Sequence, residues 1–97
     1  MATYITLSRW TQQGIENLKV SPKRLEAFKE ALEKVGGQLK SFHLVMGSYD
    51  MVAIWEVPDD QTAARVALAA ASRGSLRSET LRAYPEEEYR RILSSLP

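Results

Sequence analysis

His43 is the only histidine in the chain. Imidazole titrates near neutrality, so His43 is the first candidate for acid–base chemistry. Asp50 and Glu56 fall on its side of the hairpin outlined below, so a carboxylate could orient it. The competing reading is a hydrogen-bonded imidazole lining an interface or cavity. One histidine with scattered carboxylates has no metal-ligand spacing, and there are no cysteines, so neither metal nor cofactor is expected. Gly47-Ser48-Tyr49-Asp50 looks like a phosphate loop only superficially. A single glycine ahead of a strand cannot present a row of backbone N–H groups, and it is better read as a turn. Asp50 then caps loop N–H groups or faces a pocket. Trp10, Tyr49, Trp55 and Tyr84 could stack on a flat ligand, although strand aromatics also fill cores and interfaces. Arg24 falls in the first turn of a helix, where the dipole disfavours a cation. That conflict points to a partner such as a carboxylate or a ligand anion, against the plainer reading of an exposed arginine. Arg77, Glu79 and Arg82 read as edge or pocket charges. Ser8, Ser41, Ser48 and Ser78 all compete as neighbours of His43, so no one of them can be chosen as a nucleophile.

The elements that must position these residues are written in periodicity. Residues 3–10, TYITLSRW, alternate with period two and read as a strand. Thr11–Val20, with Gly14, reads as a polar break. Ser21-Pro22 reads as an N-cap followed by proline at the first helical position. Leu25, Phe28, Leu32 and Val35 then form one apolar helical face, ended by Gly36-Gly37. Residues 38–46 and 49–57 read as a hairpin about Gly47-Ser48. Asp59 caps a helix running to about Arg73, whose alanines let it lie close to a sheet. Residues 75–84 are a fourth strand, and Pro85 with Glu86–Glu88 opens a C-terminal helical extension over 85–97. The order β-α-β-β-α-β plus a terminal helix predicts an α+β, ferredoxin-like fold: a four-stranded antiparallel sheet with both helices on one face.

Ninety-seven residues make one small domain, able to bury about two-thirds of its unfolded surface. Thirteen Lys+Arg against twelve Asp+Glu leave a net charge of +1, which gives no electrostatic reason to bind nucleic acid or a membrane. No apolar run approaches the roughly 18 residues of a transmembrane span, and the N-terminus does not read as a signal peptide. Lack of cysteine suits a cytoplasmic protein. The hairpin supplies a sharper inference. Pairing across Gly47-Ser48 puts Phe42, Leu44, Met46, Tyr49, Met51, Ala53 and Trp55 on one face. Leu39, Ser41, His43, Val45, Asp50, Val52, Ile54 and Glu56 fall on the other. Two helices cover one face of a sheet, so a second apolar face predicts a homodimer joined sheet to sheet. The alternative is a monomer whose C-terminal helix covers that face.

The segments YITLSRWTQQGIENLKVSPKR, KSFHLVMGSYDMVAIWEVPDD and GSLRSETLRAYPEEEYRRIL together resemble the GYD domain family, a small prokaryotic family. Its glycine–tyrosine–aspartate signature falls on Gly47, Tyr49 and Asp50. Trp10, Thr11 and Gly14 look like further family features, as do Ser21, Pro22 and Arg24, and Glu56, Pro58 and Asp59. The resemblance implies a dimeric α/β-barrel subunit, whose facing sheets can enclose a cavity, and it implies no activity. His43 stands where members often carry an aromatic residue. The hairpin also looks like that of effector-binding domains in feast/famine-type regulators. The best-supported expectation is a non-catalytic homo-oligomer that binds or senses a small molecule. Its candidate site residues are Thr6, Ser8, Trp10, Arg24, His43, Tyr49 and Asp50. The rivals are a cofactor-free isomerase or monooxygenase using His43 as base, and a scaffold whose assembly is its function.

Overall fold

A computed structural model describes residues 1–97. Strand β1 (Ala2–Trp10) is followed by a short helix α1 (Gln12–Glu16), a 3-10 turn (Leu18–Val20) and helix α2 (Ser21–Lys34). Strands β2 (Gln38–Leu44) and β3 (Met51–Val57) form the hairpin. Helix α3 (Asp60–Ala71), strand β4 (Leu76–Ala83) and helix α4 (Glu86–Ser94) complete the chain. The sheet order is β2-β3-β1-β4, with every neighbouring pair antiparallel. This is the expected ferredoxin-like arrangement, and no helix is long and apolar enough to cross a membrane.

The helix ends follow from local chemistry. Gly36 adopts φ +79°, and the N–H groups of Gly37 and Gly36 bond Leu32 O and Glu33 O, closing α2 with a Schellman motif. Asp59 caps α3 by accepting from Thr62 N at 2.8 Å. That backbone hydrogen bond, first among its causes, holds the Asp59 carboxyl below its ordinary value.

Three expectations need correction. Thr11–Val20 is not a plain break. The Thr11 hydroxyl accepts from Gly14 N and so starts α1, a signal overlooked in a polar segment. Ser21 does not cap α2; it is already helical at φ −51°, ψ −42°, because the preceding 3-10 turn runs into the helix. Leu39 does not share a face with His43. The hairpin keeps the register expected from Gly47-Ser48 as far as Ser41↔Ile54, then bulges, so that Leu39 pairs with Trp55 and packs on the core.

The core lies at one end of the helix-covered face. Tyr4, Leu32, Trp55, Val57, Ala63 and Val66 are its buried members. The Trp55 ring stacks on Tyr4 at 5.0 Å and meets Phe28 edge-on at 5.7 Å. Fully burying side chains such as Leu32 and Val57 stabilises by about 1.5–3 kcal/mol each. Tyr4 donates its hydroxyl hydrogen bond to Asp60, and Arg82 lies over its ring at 5.6 Å. Burial, then Asp60, pushes the Tyr4 phenol up to about 12.

The opposite sheet face carries Ile5, Leu7, Val45, Val52 and Ile54, all part-exposed. Helix α4 does not cover it. Tyr89, Ile92, Leu93 and Leu96 are all exposed, so the apolar stripe of α4 is left largely open to solvent.

Two measurements test this account. A Cβ on Gly14 would stand 2.2 Å from Ser75 O, so Gly14→Ala should destabilise by about 1–3 kcal/mol in urea unfolding. Tyr4 has a folded pKa above its unfolded value of 10.0, so its contribution is complete below pH 10 and lost as pH rises towards about 12. Stability measured from pH 9 to 11.5 should fall, and Tyr4→Phe should flatten that fall.

Candidate functional site

The core fills only part of the space beneath the helices. Towards the end where β1 finishes and β4 begins, the sheet, α2 and α3 line a half-open cavity of about 380 Å³. It exists because the residues that would fill it are small: Ala31 from α2, Ala53 from β3, and Ala67 and Ala70 from α3 line it. The alanines of α3 therefore divide their work. Ala63 packs directly on the core, whereas those nearer the C-terminus leave room.

The polar groups of the floor are mostly spent. Trp55 donates its indole N–H to Thr6 Oγ1 at 2.8 Å, and Thr6 also meets Thr80 Oγ1 at 3.0 Å. Ser8 and Ser78 hydroxyls pair at 3.0 Å. Two donors are not spent. The Arg24 Nη1 and the Trp10 Nε1 are both buried and have no acceptor in the protein. Arg24 enters from the first turn of α2, which has no acidic residue and no side-chain cap, and it pairs with no carboxylate. An unsatisfied buried donor costs about 1–3 kcal/mol, more when charged. Lys34, Arg65 and Arg73 also line the cavity from exposed positions, and no Asp or Glu does. The site is thus apolar in body and positive in field.

The seven sequence candidates separate into two groups. Thr6, Ser8, Trp10 and Arg24 line the cavity. His43, Tyr49 and Asp50 do not. His43 is exposed on edge strand β2, paired across to Val52, and has no hydrogen bond to Asp50. Asp50 instead holds the backbone: its Oδ2 accepts from Trp10 N at 3.1 Å, and its own N–H donates to Ser8 O at 2.8 Å. Tyr49 reaches across β1 to donate to Glu79 Oε1 at 2.9 Å, and Arg9 lies 4.8 Å over its ring. The Glu79 hydrogen bond, its largest cause, holds the Tyr49 phenol above its ordinary value. So the Gly47–Asp50 loop pins the end of β1 from outside, while Trp10 projects into the cavity.

Sequence reasoning missed Thr80, Phe42, Met51 and the rim cations. Thr80 was within reach: β1 and β4 pair Ser8↔Ser78 and Thr6↔Thr80, so matched hydroxyl residues at alternate positions marked a shared face.

A contrast between two substitutions tests the hydrogen-bond accounting. Thr6→Val strands the Trp55 N–H and should cost about 1–3 kcal/mol. Arg24→Met removes a buried donor with no protein partner, and should leave the unfolding midpoint of the ligand-free protein unchanged or raise it.

Comparison with known proteins bears on most of the chain. A relative from Thermus thermophilus, named glutamine synthetase and cystathionine beta-lyase binding protein, is 40% identical over 86 residues, spanning 88% of this chain and 90% of that protein. The crystal structure of TTHA0845 from the same organism aligns with 88% of this chain and 99% of its own, at 29% identity and a TM-score of 0.54. The family model described as GYD domain matches residues 4–93. The chain belongs to the GYD domain family.

Proposed function

We propose that the protein is a non-catalytic, homo-oligomeric binding domain that takes a small molecule into the cavity between its sheet and helices. The observation that carries this reading is an apolar cavity of about 380 Å³ bordered by four cations and no carboxylate, two of whose lining residues, Arg24 and Trp10, carry buried donors without acceptors in the protein. Ligand sites are commonly concave, mostly apolar, and furnished with a few placed polar groups. A scaffold whose assembly is its only function needs no such cavity. The enzyme reading built on His43 has less support, because His43 stands outside the cavity on an exposed edge strand.

Homo-oligomer formation rests on two apolar surfaces: the uncovered sheet face and the stripe of α4. Surfaces of that kind usually mark an interface. The name of the Thermus relative adds support for binding over catalysis, and an enzyme is the kind of protein partner it favours.

Native mass spectrometry of freshly purified protein tests the reading against the denatured mass. The expected result is a dimer or higher assembly carrying a reproducible extra mass, lost or weakened in Arg24→Met. A monomer at micromolar concentration would overturn the oligomer. A cavity blocked by Ala67→Phe that left ligand retention unchanged would overturn the assigned site.

A further inference from the structure

Resting on the cavity as a binding site, we infer that its ligand is an amphiphilic carboxylate: a compact apolar body bearing one anionic group, which Arg24 and Trp10 hold at the α2 end of the cavity.

The charge of the ligand follows from what lines the site. Four cationic residues border the cavity and no carboxylate does. Three of them, Lys34, Arg65 and Arg73, are exposed and act on an approaching anion through their field. Only Arg24 brings a buried, unpartnered guanidinium atom. One buried cation matches one negative charge; a phosphate dianion would need more donors than this floor retains.

The place of the charge follows from topology. Trp10 is the last residue of β1 and pairs with Leu76 at the start of β4. Arg24 sits in the first turn of α2, and Ser21 from that turn also lines the cavity. The uncapped turn adds the positive end of a 14-residue helix to the guanidinium charge. An arginine fork and an indole N–H are both donors, so together they require acceptors. At the other end the Trp55 N–H is already bound to Thr6, so that end offers an apolar wall of Trp55, Phe28 and Val66. The volume lies at the lower end of the range for ligand pockets, which sets the body as compact.

The test uses matched pairs that differ only in charge: octanoate against octanamide, and 4-phenylbutyrate against 4-phenylbutyramide, titrated into the intact protein by calorimetry at pH 7. At least one carboxylate should bind tenfold or more tightly than its amide. Arg24→Met should abolish that preference, weakening the carboxylate far more than the amide, whose carbonyl can accept a hydrogen bond but carries no charge. Arg24→Lys should restore part of it, since lysine keeps the charge and loses the fork. Trp10→Phe should weaken the carboxylate more than the amide, since the lost hydrogen bond is charge-assisted only in the former. Amide and carboxylate binding equally would overturn the anion assignment and leave the cavity as a binding site. Preference retained in Arg24→Met would overturn the role of Arg24. No binding by any of the four probes would overturn the amphiphilic-carboxylate assignment, and the cavity reading would then stand or fall on ligand retention in Ala67→Phe. Circular dichroism of each variant separates a lost site from a lost fold.

Discussion

The indole of Trp55 is the contact on which the rest depends. It stacks on Tyr4, receives the edge of Phe28 and gives its N–H to Thr6, so it ties two strands and one helix at a single point. Aromatic pairs of this geometry add about 0.5–1.5 kcal/mol each beyond the area they bury. Everything towards the β1 N-terminus is packed around that ring. Beyond it, towards the β1 C-terminus, Ala31, Ala53, Ala67 and Ala70 leave space beneath the helices. The cavity is therefore the far side of the core, not a separate structure.

The contrast between the two tryptophans states the division in chemical terms. Trp55 has its hydrogen bond inside the chain, and Trp10 does not. A buried donor left without a partner is uncommon in native proteins. Here it stands in the same cavity as a second one, of opposite origin: Trp10 ends a strand and Arg24 begins a helix. Two elements distant in the chain thus each bring a buried donor without an acceptor to the lining of one cavity.

Much of the architecture was legible because period and punctuation agreed. Alternation in β1, the Leu25–Phe28–Leu32–Val35 face and the turn at Gly36 each pointed to one structure, and each is present. The bulge that moved Leu39 was not legible, since an extra residue in one strand leaves local alternation almost intact on both sides. The candidate site was half legible. Arg24 was conspicuous because its charge opposes the helix dipole, and hydroxyls at Thr6 and Ser8 break an otherwise apolar strand face. His43 and Asp50 attracted interest through residue type alone. Type carries no direction: His43 points away from the cavity side, and Asp50 spends its carboxylate on the backbone of Trp10.

The alternation of β1 also separates two evolutionary problems. Thr6, Ser8 and Trp10 face the cavity, while Ile5, Leu7 and Arg9 belong to the opposite surface. Neighbouring positions thus meet different physical demands. Ser8 and Trp10 can change to suit a different ligand, whereas Tyr4 and Thr6 on the same face are held by Trp55. The barrier to that freedom is register: bonded on both sides, β1 cannot shift by one residue without exchanging the two sets wholesale. A lineage built on this strand should change its chemistry by substitution and seldom by insertion or deletion.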